Sequence, residues 1–256
     1  MKKLVIIPGG FHPYHAGHAA LYRSAREAFP DADVYVAATD DTSTRPFPFA
    51  VKEKLAKLAG VAPGRFVRVK SPFRAEEITQ GYNANDTVLI FVRSAKDQDK
   101  PPQPGGVKRD GTAAYLQPLT DDPQPMAQHG YMAYLPTVEF AGGLTSATEI
   151  RRAWPTLSDA KKQSLVQTLY PKTGNNPRLA ANVIRLLDST LAVAAESRLQ
   201  MLESRIRGLL EVYRRMQQST PADYIEEKWS KKYRRSINCD RPQGFSQKAH
   251  CAGRKK

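Results

Sequence analysis

His12, His15 and His18 stand within seven positions of a chain that holds only five histidines. They follow "IIPGG", an apolar run closed by Gly9 and Gly10, with Phe11 between the glycines and the first imidazole. Imidazoles at this spacing can donate N–H groups to phosphate oxygens, hold a metal ion, act as a general base, or fill a core. A metal site would need further ligands, and no carboxylate or cysteine lies nearby to complete an ordinary set. A general base would need a nucleophile to activate, and none is evident locally. Phosphate contact suits the surroundings. Glycines let backbone amides approach a phosphate closely, and a helix N-terminus favours negative charge. His15 and His18, three apart at a helix entrance, can point into one pocket. The purely structural reading stays open.

The elements around these residues must place them at the end of a strand. Lys3–Ile7 predicts a buried strand ended by Pro-Gly-Gly, and His18–Phe29 predicts a helix whose apolar face is Ala19, Leu21, Tyr22, Ala25 and Phe29. Further strands are predicted over Asp33–Ala38, Phe66–Lys70, Thr87–Val92 and Ala133–Val138, and helices over Lys52–Leu58, Arg74–Tyr82, Thr145–Ala153 and Ser158–Tyr170. Strands alternating with helices predict an α/β fold: a Rossmann-like parallel sheet flanked by helices. In such a sheet, ligands bind beyond the carboxyl ends of the strands, where Pro8-Gly9-Gly10 falls. Lys96–Gln128 is rich in Pro and Gly and reads as an irregular insertion.

Asn176-Pro177 predicts a helix start, with Asn capping and Pro in the first turn. The helix runs to about Gln218. Ile184, Leu187, Leu191 and Ala194 form one apolar row; Leu202, Ile206, Leu209, Tyr213 and Met216 form a second, with Arg198 between them. Such a helix either packs on the chain's own core, bent near Gly208, or pairs residues 176–218 with another copy as a homo-oligomer. Three parts are expected: residues 1–155, a helical C-terminal extension over 156–220, and a basic tail over 221–256.

The 256 residues carry a net charge of +14, and half of it sits in Glu226–Lys256, where ten Lys/Arg oppose three acids. Trp229, Tyr233 and Phe245 interleave with those cations, which suits nucleic acid; a merely solvated tail is the alternative. No run of about 20 apolar residues predicts a membrane span. The two cysteines, Cys239 and Cys251, do not predict a secreted disulfide framework, so a cytoplasmic protein is expected. With His250 they offer three clustered metal ligands, one short of a zinc finger.

"GGFHPYHAGH" resembles the first signature of the HxGH-motif nucleotidyltransferase superfamily, with His15, Gly17 and His18 in its His-x-Gly-His positions. Ser146-Ala147-Thr148-Glu149-Ile150-Arg151, after "YLPTVEF", is similar to the second signature, Ser-x-Thr-x-x-Arg at the opening of a later helix. Over roughly residues 1–155 the layout looks most like phosphopantetheine adenylyltransferases, while "SATEIRR" reads closer to nicotinamide mononucleotide adenylyltransferases. "VLIFVRSAK" puts Arg93 and Lys96 on the former family's two cationic positions. Gly10 stands where that family carries Thr and His12 where it carries Asp; its acceptor-binding Lys falls on Thr44, beside Arg45. The basic tail is similar in composition to tails of phage-encoded proteins, which would place the chain in a host cytoplasm.

The resemblance implies transfer of AMP from ATP to the phosphate of a small-molecule acceptor, with release of pyrophosphate. Gly9, Gly10 and Phe11 would line the nucleotide site. His15 and His18 would contact triphosphate oxygens, and Arg93, Lys96 and Arg151 would steady the charge growing on pyrophosphate. Ser146 and Thr148 would hold the outer phosphates, Arg45 and Thr44 would meet the acceptor phosphate, and Mg²⁺ would arrive with ATP. Two alternatives remain: a cytidylyltransferase of the same fold, although the Arg-Thr-x-Gly-Ile-Ser form of that class is absent, and a degenerate nucleotide-binding module serving nucleic-acid binding or assembly.

Overall fold

The structure is a computed structural model and describes residues 1–43, 45–136, 146–218 and 229–253. The expected strand–helix alternation is present as β1 (Lys2–Gly9), α1 (Ala16–Ala28), β2 (Ala32–Ala38), α2 (Phe49–Ala59), β3 (Phe66–Arg68), α3 (Glu76–Thr79) and β4 (Thr87–Ser94), then β5 (Leu116–Pro118), β6 (Gly130–Leu135), α4 (Ala147–Ala153), α5 (Asp159–Leu169) and α6 (Pro177–Gln218). The six strands form one sheet in the order β3-β2-β1-β4-β6-β5, and every pairing is parallel. This is the Rossmann-like α/β class.

Parallel strands covered on both faces read as continuous apolar runs, and β1 and β4 do. Their alternate residues enter two cores. Val5, Ile7, Val88, Ile90 and Val92 join one layer; Leu4, Ile6, Leu89 and Phe91 join the other. β5 lies inside the stretch that reads as an irregular insertion. It is three residues long and ends in Pro118, an edge position where a missing N–H costs no ladder bond. It carries too little pattern to read as a strand. Arg74–Tyr82 contains only the four-residue α3, and the described part of the last predicted strand is β6.

The chain divides into two compact units, Met1–Ala194 and Ala195–Lys256. The boundary expected near residue 155 therefore falls inside the first unit. Leu165, Val166, Leu169 and Tyr170, and Ala180, Val183 and Leu187 from the start of α6, all belong to the larger core. Trp154 Nε1 and Lys162 Nζ both donate to Asp188 Oδ1, at 2.8 and 2.7 Å. α6 begins as expected: Leu179 N donates to Asn176 Oδ1 at 3.0 Å, with Pro177 in the first turn. Among the described residues, no helix is long and apolar enough to cross a membrane.

In the second unit, Trp229 lies 5.0 Å from the Tyr233 ring and 6.0 Å from His250. Short helices cover Lys231–Ser236 and Gly244–Gly253. Cys239 and Cys251 are joined in a disulfide, so the expected trio with His250 is not a set of thiolate ligands. Two cysteines in a basic tail carry no spacing rule, so the sequence alone does not announce this pairing.

Candidate active site

The strand order reverses at β1, with β2 and β3 on one side and β4, β6 and β5 on the other. Open parallel sheets bind ligands at such a reversal, and the histidine segment occupies it. After Gly9, Phe11 adopts a left-handed φ of 51°. Its ring folds back so closely that a Cβ on Gly9 would stand 2.7 Å from it. That approach, rather than a phosphate, is what demands the first glycine. The Phe11 ring also meets Tyr14, His18 and Phe66, with centroids 5.3, 5.0 and 5.9 Å away.

His15 caps α1. Its Nδ1 accepts from Gly17 N at 3.1 Å, and His18 Nδ1 accepts from His15 N at 3.3 Å, a capping box made of two imidazoles. A neutral imidazole whose Nδ1 accepts carries its proton on Nε2. The hydrogen bonds thus make both rings Nε2–H donors of fixed orientation, with centroids 3.8 Å apart. Burial keeps them neutral. It lowers the His15 pKa to about 3, helped by the charge of Lys96, and it lowers His18 as well, helped by His15 and then Lys96. Lys96 lies in the turn after β4, near enough for its charge to act on both histidines.

Arg93 is placed elsewhere. It shares the face of β4 that carries Leu89 and Phe91. Its Nη1 donates to the carbonyls of Lys100 and Pro102 at 2.8 and 3.3 Å, and its guanidinium lies 5.7 Å from the Phe73 centroid. Its contacts hold the insertion, and strand alternation is the reason. Arg151 bridges the two sequence motifs: one nitrogen donates to the His12 carbonyl and the other to Thr148 Oγ1 at 3.1 Å. Ser146 caps α4, its Oγ accepting from Glu149 N at 3.2 Å while Glu149 Oε2 accepts from Ser146 N at 3.0 Å. Residues 137–145, which include Val138 and Thr145, and Thr44 lie outside the described residues.

Two further residues belong here. His12 is 3 % exposed; its Nδ1 accepts from Phe47 N at 3.2 Å, so its proton also sits on Nε2. Its pKa is lowered to about 3, by burial first and then by Lys52, Arg45 and Arg151. Lys52 is wholly buried on α2, and burial brings its pKa down to about 8. The sequence holds a signal for it. Positions 52, 55, 56 and 59 form the helix's buried stripe, so a lysine at the first of them is a charge on an inward face. The arrangement is a set of fixed N–H donors and cations around the loop after β1. A scan against protein-family models and a search of curated proteins both found no match to the chain.

Proposed function

We propose that the protein is a nucleotidyltransferase that transfers AMP from Mg·ATP to the phosphate of a small-molecule acceptor and releases pyrophosphate. One observation carries this reading: the paired His15 and His18 donors stand at the reversal of the sheet with Lys96 beside them. An acceptor phosphate oxygen attacks the α-phosphorus of ATP. The new O–P bond forms as the α–β bridging bond breaks, and its electron pair leaves with pyrophosphate. The acceptor phosphate is already mostly dianionic near pH 7, with a second pKa of about 6, so no general base is needed. What remains is positioning and charge stabilisation. The His15 and His18 Nε2–H groups meet triphosphate oxygens, and Lys96 balances charge on the leaving group. Arg151 ties the His12 loop to Thr148. Mg²⁺ comes as part of the substrate, coordinated mainly by phosphate oxygens and water.

Pyrophosphate release from a panel of phosphorylated acceptors, run separately with ATP and with CTP, tests this reading. Release with ATP supports it, and release with CTP alone makes the enzyme a cytidylyltransferase. Silence with every pair leaves a nucleotide-binding module.

The second half of α6 favours a further proposal, pairing with a second copy of the chain. Leu199, Leu202, Ile206, Leu209 and Tyr213 recur at spacings of 3 and 4 and are 45–63 % exposed. Leu187, on the first half, is wholly buried. In heptad terms Glu196 and Glu203 take e positions and Arg198 and Arg205 take g positions. A parallel copy then sets position 198 opposite 203 with opposite charge. Light scattering at micromolar concentration should give an oligomer, and Leu202→Asp with Leu209→Asp a monomer; a monomeric wild type overturns the pairing. The tail, +7 over Glu226–Lys256, is proposed to contact nucleic acid. Affinity for single strands that does not fall with added salt overturns that.

A further inference from the structure

Gly10 marks a point on which two donors converge. A Cβ built there would lie 2.9 Å from an Arg45 guanidinium nitrogen and 3.6 Å from His12 Nε2. His12 is 97 % buried by its 3 % exposure, and among the described residues its Nε2 has no hydrogen-bond partner. Arg151 fixes the same residue from behind through its carbonyl. Lys52 completes the ring of positive charge, its Nζ donating to the Thr39 carbonyl at 2.7 Å. Among the described residues, none of Arg45, Lys52 and Arg151 forms an ion pair. The nearest acids are engaged otherwise. Asp40 accepts from Phe49 N at 2.6 Å and pairs with Arg68 at 3.2 Å, and Asp41 accepts from Ser43 N at 2.8 Å. Cations gathered around this N–H donor, with none of them ion-paired to a carboxylate, favour an anion from outside.

Thr39 links this point to a cleft of about 600 Å³ at the carboxyl ends of β2 and β3. Its walls include Thr39, Asp40, Asp41, Arg68, Lys70 and Glu77. Only Val69 among the lining residues is apolar. Pockets that take drug-like or amide-chain ligands are mostly apolar; this one offers carboxylates and cations to hydroxyl groups.

Resting on the nucleotidyl-transfer reading, we propose that the acceptor is a hydrophilic phosphomonoester of the sugar- or polyol-phosphate class. Its phosphate lies over Gly10 between His12 Nε2–H and Arg45, and its hydroxyl-bearing body lies in the cleft. His12 is then a specificity element: a neutral donor, where an aspartate would repel the phosphate.

The test is titration calorimetry on the full chain with three probes: inorganic phosphate, a hexose 6-phosphate, and a phosphomonoester on an amide-linked alkyl arm. The hexose phosphate should bind at least tenfold more tightly than the alkyl-arm compound. Arg45→Gln should weaken both inorganic phosphate and hexose phosphate at least tenfold. His12→Phe should do the same, and Arg45→Gln carries the test if losing the Phe47 N contact unfolds that variant. Asp41→Asn should weaken the hexose phosphate alone. The thermal shift given by ATP, unchanged in Arg45→Gln, reports an intact fold and nucleotide site. Wild-type affinity for hexose phosphate in Arg45→Gln, or preference for the alkyl arm, overturns the proposal. Pyrophosphate release with some other acceptor class would sink it while sparing the transfer reading. Tight hexose phosphate binding without any pyrophosphate release would do the reverse.

Discussion

The N-termini of α1 and α4 share one hydrogen-bonding pattern built from different residues. On α4, Ser146 and Glu149 exchange backbone bonds at an exposed helix end. On α1, His15 and His18 make the same reciprocal pair beneath the loop after β1. Serine and glutamate satisfy a helix end fully, so imidazoles are not needed for capping. What they add is one Nε2–H each, aimed by the cap itself. The cap on α4 fixes a helix; the cap on α1 fixes a helix and two donors. The second arrangement carries a liability, because a buried imidazole must stay neutral while the unfolded chain is free to take up a proton.

His18→Gln should separate those two roles and have the largest effect. Glutamine still accepts from His15 N, as it does at this position in ordinary capping boxes. The lost Nε2–H should lower kcat for pyrophosphate release about 10²–10³-fold, with Tm shifted by only a few degrees. Activity that falls only in step with Tm would reduce the ring to a structural group.

Acid comes next. His12 and His15 titrate at about 3 in the folded chain against 6.5 for an unperturbed imidazole, and His18 is also lowered. Between pH 6.5 and 3 the unfolded state therefore binds more protons, and stability falls as the pH falls. Each histidine held neutral should contribute a slope of roughly 1.4 kcal/mol per pH unit, with no contribution above about 6.5. Urea midpoints at about pH 7.5 and about pH 5, one on each side of the free imidazole's pKa, measure it. His15→Asn keeps a good N-cap and should remove one share of the slope; an unchanged slope would erase the contrast with α4.

Ser146→Ala should cost about 1 kcal/mol in urea unfolding, the usual worth of an N-cap. Glu149→Gln retains an acceptor for Ser146 N and should stay within about 0.5 kcal/mol. A loss several times larger in either would give α4 a role beyond capping.

The parallel sheet was legible because β1 and β4 are covered on both faces, and α6 because Asn176-Pro177 announces its start. The histidine cluster was legible as a candidate site by type and spacing, and the structure brings its three rings to the loop after β1. Other features depend on facts that spacing alone underdetermines. Arg93 is one residue beyond Val92 and so turns to the opposite face of β4, which the period of two could have foretold. Lys52 is easily passed over because lysine reads as solvent-facing, although it lies on a buried helical stripe. The place of His12 beside Arg45 depends on the fold of the loop between β2 and α2, whose sequence has no period. The disulfide had no signal at all.

Arg151 and Tyr170 reach back to the loop after β1, from the His12 carbonyl to the Tyr14 carbonyl, across 139 and 156 residues. During synthesis the histidine turn is made well before either of its anchors. At roughly 5–20 residues per second, its two anchors follow roughly 7–31 s later. The entropy of closing such loops grows only slowly with their length, but the wait grows in proportion to it. For that interval the nascent chain carries His12, Tyr14 and their neighbours without either tether. The earliest part of the site to be translated is thus among the last to be secured.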